Sequence, residues 1–247
     1  MKKEQKIQEN QYIFPYHYLS DIDRKNFSLS KHVFWGYEYI SYIEFVISLI
    51  EKKNFKSLLD VGCGDGRMIY ELNKRLCDKK IEGIDYSKRA IDFARAFNPL
   101  NKFYIGNINN IINKDYYDIL TLIEVLEHIP EKEISCFIDS LSNKINNGGF
   151  LILTTPHDNL PKNKKHFLHF TRKKIQNLFE QKFNIKNIYF LNKKSFLVYV
   201  IEHFFSNRFF ILNNVYLKNL LYKVYCANFL ITDEKNCTRI CTILEKK

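Results

Sequence analysis

The stretch Leu58-Leu59-Asp60-Val61-Gly62-Cys63-Gly64-Asp65-Gly66-Arg67 constrains this chain more than any other. An apolar, strand-like run leads into three glycines within five positions, and a helical pattern follows. Glycine lets a backbone turn at positive φ and approach a ligand closely. A strand, a glycine loop and a helix in that order make the nucleotide-binding turn of a doubly wound sheet. The 247 residues include only eight glycines, so three in one loop is a concentration rather than background.

Asp85 closes the next strand-like run at Gly83-Ile84-Asp85, where an acid for ribose hydroxyls is expected. Charge separates the ligands such a loop can take. A dinucleotide would set its pyrophosphate over the helix start, against Asp60 and Asp65, and its third glycine would fall at position 67, which is Arg67. S-adenosylmethionine carries an ammonium and a sulfonium and no phosphate, so those acids suit it.

From Ser57 onward strands alternate with helices. Strands are expected at Ser57–Val61, Lys80–Asp85, Lys102–Gly106, Tyr117–Ile123, Gly149–Thr154, Asn184–Phe190 and Thr238–Leu244. Helices are expected at Gly66–Cys77, Ser87–Phe97, Glu131–Ile145 and Thr171–Phe183, with Ser87 as an N-cap and Asn147-Gly148-Gly149 as a stop. The alternation predicts an α/β fold with a parallel sheet covered on both faces. Residues 1–54 read as an N-terminal aromatic and helical segment with an amphipathic helix near Tyr37–Glu51. Residues 55–247 read as the main domain, with an aromatic helical insertion over 195–230.

The glycine loop resembles motif I of the class I S-adenosylmethionine-dependent methyltransferases. Gly83-Ile84-Asp85-Tyr86-Ser87 is similar to the next motif of that family, and Gly106-Asn107-Ile108 to its adenine-contacting Gly-Asp-Ile step, with Asn for Asp. Tyr117-Asp118-Ile119-Leu120, then Glu124-Val125-Leu126-Glu127-His128-Ile129-Pro130, resembles the fourth motif, and Asn147–Leu151 the turn into the fifth strand. The order and spacing over Ser57–Pro156 match the family. The resemblance implies a Rossmann-like, seven-stranded sheet with its last strand antiparallel. It also implies S-adenosylmethionine as cofactor, held by Asp60, Gly62, Cys63, Gly64, Asp85, Tyr86, Asn107, Ile108 and Ile123.

Glu124, Glu127 and His128 are spaced i, i+3, i+4, which on a helical turn puts them on one face. Either His128 serves as a general base, or the cluster binds a divalent cation (Mg²⁺, Mn²⁺ or Zn²⁺), with His166 as a further ligand. His166 and His169 lie ahead of Phe170-Thr171-Arg172, a pattern similar to metal-dependent small-RNA 3′-terminal 2′-O-methyltransferases. The Glu-His-x-Pro step equally resembles ubiquinone-pathway and surface-glycan methyltransferases.

Tyr16, His17 and Tyr37, with His166 and His169, are the residues expected to line the acceptor site. Lys+Arg 38 against Asp+Glu 27 gives a formal charge of +11, which suits an anionic partner or reflects AT-rich coding. The six scattered cysteines form no zinc pattern, and no apolar run approaches the ~18 residues of a membrane span. A reduced, cytoplasmic enzyme is expected, with peripheral membrane contact through the 195–230 insertion left open. The expected reaction is O-methylation of a small hydroxylated metabolite or a surface-glycan sugar. RNA 2′-O-methylation and a non-catalytic cofactor-binding subunit are the alternatives.

Overall fold

The computed structural model describes residues 21–23, 26–28, 30–108, 116–205 and 214–247. A short antiparallel pair, β1 (Asp21–Asp23) and β2 (Asn26–Ser28), precedes the long helix α1 (Ser30–Glu51). Then β3 (Ser57–Val61), α2 (Arg67–Asn73), β4 (Lys80–Asp85), α3 (Lys88–Phe97) and β5 (Lys102–Ile105) form one half of a wound sheet. The other half runs β6 (Tyr117–Ile123), α4 (Glu131–Ser142), β7 (Ile145–Pro156), α5 (Arg172–Phe179) and β8 (Phe183–Lys193). Helices α6 (Phe196–Phe205) and α7 (Val215–Asn228) follow, then β9 (Ile231–Thr232) and β10 (Cys237–Lys246).

The sheet order is β5-β4-β3-β6-β7-β10-β8-β9. Strands β3 to β7 pair in parallel, and β10 runs antiparallel between β7 and β8. The seven expected strands are all present with the last one antiparallel. An eighth, the two-residue β9, pairs with the outer edge of β8. The chain leaves β3 for β4 on one side and later returns to β6 on the other. Their carboxyl ends therefore diverge at a switch point, where open α/β sheets bind ligands.

The alternation of side chains assigns the two faces. Leu58, Ile119 and Ile152 join one core cluster with Ile43, Val46, Ile47 and Ile50 of α1 and with α2 and α3. Their neighbours Leu59, Leu120 and Leu151 join the other, with Ile134, Ile138 and Leu141 of α4 and Ile175 and Phe179 of α5. Successive strand residues are buried on opposite faces, as a parallel sheet covered on both sides requires.

Three local expectations are corrected. The fifth parallel strand starts at Ile145 rather than Gly149, because Asn147-Gly148 is a bulge inside the strand. Tyr117 pairs with Ile145 and Ile119 with Phe150, so β7 bows out between them, with Gly148 at φ 73°. Asp118 fixes that bulge: its Oδ1 accepts from Asn146 Nδ2 at 2.7 Å, while its Oδ2 accepts from the N–H of Lys56 at 2.8 Å. The helix expected over Thr171–Phe183 ends at Phe179, with Thr171 as its N-cap accepting from Lys174 N–H at 3.3 Å. The insertion is two helices, which meet through Val198 and Ile201 on α6, Tyr225 on α7 and Phe229 at the C-cap of α7. Ser87 caps α3 as expected, accepting from Ala90 N–H at 3.1 Å, a contact worth about 1 kcal/mol. Among the described residues no helix is long and apolar enough to cross a membrane.

Candidate active site

The glycine loop sits where β3 ends. Gly62, Gly64 and Gly66 take φ of 75°, 55° and 79°. Gly62 also has no room for a side chain, since a Cβ there would lie 2.3 Å from Val125 Cγ2. The loop's amides are spent internally. Gly62 and Cys63 N–H donate to the Ile84 carbonyl at 2.8 and 3.1 Å, and Gly64 N–H donates to Asp85 Oδ2 at 3.0 Å. Gly66 N–H donates to the Cys63 carbonyl at 3.0 Å, and the N–H of Arg67, at the start of α2, donates to the Asp65 carboxylate. A phosphate-cradling loop presents free N–H groups to its ligand. This one turns them inward and shows carboxylates instead.

Burial pushes Asp60 up to about 7, opposed by the hydroxyl of Thr121 (2.8 Å) and assisted by the charge of Asp85. Burial likewise raises Asp65 to about 6, against the N–H and charge of Arg67. Burial and the three neighbouring acids hold the Cys63 thiol well above its ordinary value, so it stays protonated and is no nucleophile. Asp85 is fixed by accepting Ser87 N–H at 2.8 Å on its other oxygen.

All nine expected cofactor residues line one cavity of about 380 Å³: Asp60, Gly62, Cys63, Gly64, Asp85, Tyr86, Asn107, Ile108 and Ile123. Glu124, Glu127, His128 and His166 line it too. His169 does not, and stands behind His166. Tyr16 and His17 lie outside the described residues, and so does the side chain of Tyr37, although its backbone belongs to α1.

Glu124 is not on a helical turn with Glu127 and His128. It adopts φ 56° at the end of β6, and only Leu126–His128 form a single 3-10 turn. Ile129, preceding Pro130, is extended at φ −90°, ψ 126°, as a residue before proline prefers, so the turn cannot grow into a helix. Glu124 is thereby aimed at Arg239, whose Nε and Nη2 reach its two oxygens at 2.9 and 3.1 Å, and Thr154 Oγ1 donates to it at 2.9 Å. Burial would strip Arg239 of its charge, but Glu124, Tyr42 and Glu38 hold its pKa well above the ordinary value.

The remaining cluster has its protons placed by backbone carbonyls. The Lys165 carbonyl lies 3.0 Å from His128 Nδ1 and can only accept, so Nδ1 bears the hydrogen and Nε2 the lone pair. The Leu160 carbonyl fixes His169 in the same way at 3.1 Å. His169 Nε2 then accepts from His166 Nδ1–H at 2.9 Å, which leaves His166 Nε2 unprotonated as well. Burial lowers the pKa of His128, against its Lys165 hydrogen bond, and lowers that of His166 to about 3. Burial and the charge of Glu124 raise Glu127 well above the ordinary carboxylate value, and among the described residues Glu127 Oε2 has no hydrogen-bond partner. Glu127 Oε1 stands 3.8 Å from His128 Nε2.

Glu127, His128 and His166 bring three potential ligand atoms within 4.8 Å of one another. Each imidazole has its second nitrogen tied off by a hydrogen bond, as in metal sites. These three residues fit a divalent cation with open positions. Glu124, expected as a fourth ligand, is committed to Arg239.

Lys165 also lines the cavity, as do Arg239, Tyr39 and Tyr42, which were not anticipated from the sequence. Arg239 left one signal, a lone cation inside the otherwise uncharged run Cys237–Leu244.

Residues 32–196, two thirds of the chain, match the family model described as a methyltransferase domain. The chain belongs to the methyltransferase-domain family. Membership and the carboxylate-lined loop, whose amides are bonded within the chain, support a methyltransferase dependent on S-adenosylmethionine. Among curated methyltransferases, the ubiquinone biosynthesis O-methyltransferase of Shewanella sp. (strain ANA-3) is 28% identical over 111 residues, 42% of this chain and 45% of that protein. The tRNA N(3)-methylcytidine methyltransferase trm141 of Schizosaccharomyces pombe is 33% identical over 105 residues, 39% of this chain and 42% of that protein. The matched segments thus span less than half of those relatives. Among solved structures, the N-methyltransferase NodS of Bradyrhizobium japonicum, in complex with S-adenosylhomocysteine, superposes with a TM-score of 0.64 at 12% identity, covering 99% of both chains. Magnesium protoporphyrin IX methyltransferase of Synechocystis gives 0.62 at 13% identity, covering 100% of this chain and 99% of that one. These two likenesses establish the fold.

Proposed function

We propose that this methyltransferase moves the methyl group of S-adenosylmethionine to an oxygen of a small hydroxylated acceptor, a phosphorylated sugar included. One observation carries the reading: the Lys165 carbonyl fixes the His128 tautomer, so a neutral imidazole offers its Nε2 lone pair to the cofactor cavity. Asp85 holds the ribose hydroxyls, Asn107 and Ile108 flank the adenine, and Asp60 faces the cationic methionine portion. The acceptor oxygen attacks the methyl carbon in line, the carbon–sulfur bond pair returns to sulfur, and His128 Nε2 takes the hydroxyl proton. Holding the two reactants collinear supplies most of the acceleration. The Glu127, His128 and His166 cluster favours this reading over a non-catalytic cofactor-binding subunit, which needs no base. The cytoplasmic setting expected from the sequence suits such a reaction.

The test is transfer of labelled methyl from S-adenosylmethionine to a small-molecule extract of cells, followed over pH. His128 must be neutral to act, and burial sets its pKa below the usual 6.5. With S-adenosylmethionine kept saturating at every pH, so that titration of Asp60 does not enter, the rate is therefore flat near neutrality and falls as pH drops through a value under 6.5. A profile with no acidic limb removes His128 as the base.

The three-ligand cluster favours a second reading, metal-dependent methylation of an RNA 2′-hydroxyl. A divalent cation held by Glu127, His128 and His166 would polarise the acceptor oxygen and lower its pKa. Part of the basic surface near the histidines is already engaged: Lys174 is paired with Asp158 at 2.8 Å, Arg172 with Glu234 at 3.9 Å, and Lys165 is half-buried in the cavity wall, which leaves Lys162, Lys164 and Lys173 exposed. Incubation with EDTA leaves methyl transfer unchanged under the base mechanism. Loss of transfer that Mg²⁺, Mn²⁺ or Zn²⁺ restores establishes the metal instead.

A further inference from the structure

A second cavity, of about 570 Å³, lies beside the first. Strand β8 runs the same way as β7 and ends at Lys193, while β10 runs the opposite way and begins at Cys237. Asn192, Lys193, Thr238 and Arg239 therefore emerge at the same carboxyl edge that carries the glycine loop, and all four line this second cavity. Arg239 lines both cavities. It pairs with Glu124 of the first at 2.9 Å and with Glu38 of the second at 3.2 Å. The two spaces are neighbours across one buried guanidinium.

The second chamber is walled by Leu160, Val198, Tyr199, Ile201 and Tyr225, with the exposed Phe196 ring stacked on Tyr199 at 6.5 Å. Leucine, valine and isoleucine offer a sugar nothing to hydrogen-bond, so an occupant rich in hydroxyls would leave them unpaired. Its charge is one-sided. Lys193, Lys194 and Arg239 line it against a single acid, Glu38, which Arg239 already neutralises. Among the described residues neither lysine forms an ion pair, although Lys193 lies in the field of Asp233. Apolar walls beside two lysines that are held in no ion pair among the described residues complement one kind of molecule.

We propose that this chamber receives the acceptor and that the acceptor is an amphiphilic anion. Its apolar chain or ring occupies the α6–α7 chamber, and its carboxylate or phosphate meets Lys193 and Lys194. The hydroxyl to be methylated reaches past Arg239 towards His128. This inference rests on the methyl-transfer reading and narrows its acceptor.

The experiment is calorimetric titration of the full chain with three monomeric probes of equal tail: octyl phosphate, octanol and octyltrimethylammonium. S-adenosylhomocysteine is titrated into every sample. Octyl phosphate is expected to bind about tenfold or more tighter than octanol, the scale of a charge-assisted contact, with the ammonium weakest. The double variant Lys193→Gln/Lys194→Gln loses that preference and keeps its octanol affinity. Val198→Trp fills the chamber and loses all three. Octyl phosphate also inhibits methyl transfer in competition with the acceptor extract. Equal affinity for the three head-groups, an unchanged lysine variant or non-competitive inhibition overturns the proposal. Binding to phosphatidylglycerol vesicles without binding to octyl phosphate also overturns it, in favour of a membrane-facing surface. If S-adenosylhomocysteine binds normally and no amphiphile does, only the chamber assignment fails. If S-adenosylhomocysteine itself fails to bind, the methyl-transfer reading falls first.

Discussion

His128→Ala lowers methyl transfer by roughly 10²–10⁴-fold, the usual contribution of a positioned base, and leaves the affinity for S-adenosylhomocysteine unchanged. The two effects separate because His128 belongs to the 3-10 turn after β6, whereas the loop and acid assigned to the cofactor lie at the ends of β3 and β4. The acidic limb of the pH profile disappears in the same variant, because the titrating group is gone. His166→Ala is expected to be milder. Its Nδ1–H donates to His169 at 2.9 Å and its ring packs edge-on against His128 with centroids 5.0 Å apart, so it positions the base. Equal turnover of His128→Ala and the parent would assign the proton to another acceptor.

Arg239→Met unfolds the protein more easily by about 3 kcal/mol, the lower end of the range for breaking a buried ion pair from one side. The methionine fills similar volume, so the loss comes from charge. Glu124 loses both contacts of its fork and stays in a left-handed backbone conformation at φ 56°, and Glu38 loses its partner at 3.2 Å. The lower end is expected because Glu124 and Glu38 keep 21% and 28% of their side-chain exposure. Adding Glu124→Gln recovers part of the loss, since a neutral amide tolerates the site without the guanidinium. Denaturant unfolding of the parent, the single and the double variants measures the coupling directly. Full additivity of the two substitutions would show that the pair does not act as a unit.

What could be read in advance followed from local chemistry. Leu58–Arg67 spells out its strand, turn and helix because positive φ and close packing against Val125 can be met only by glycine at Gly62. Ser87 announces its helix because an N-cap acts within three residues. The misreadings are non-local or too short to carry a pattern. The i, i+3, i+4 spacing of Glu124, Glu127 and His128 suggests one helical face, yet Pro130 halts the turn and an arginine 115 residues away takes Glu124. Gly148-Gly149 reads as a stop, but Ile145 already pairs with Tyr117, so the glycines serve a bulge. Two residues at Ile231–Thr232 show no alternation, and β9 is invisible for that reason. The walls that Tyr39 and Tyr42 supply depend on how α1 crosses the sheet, which periodicity does not encode.

Ligand choice at the glycine loop is the claim on which everything else stands, and calorimetry at two pH values addresses it. S-adenosylmethionine is expected to bind with 1:1 stoichiometry at pH 8 and more weakly at pH 6. Burial sets Asp60 near 7, so a cationic ligand must draw off its proton in acid and meets a carboxylate in base. Heats measured at pH 7 in buffers of different ionisation enthalpy should then reveal protons released on binding. NAD should give no heat at either pH, because the loop's amides are already bonded within the chain. Tight NAD binding, or S-adenosylmethionine affinity that strengthens in acid, would contradict the account.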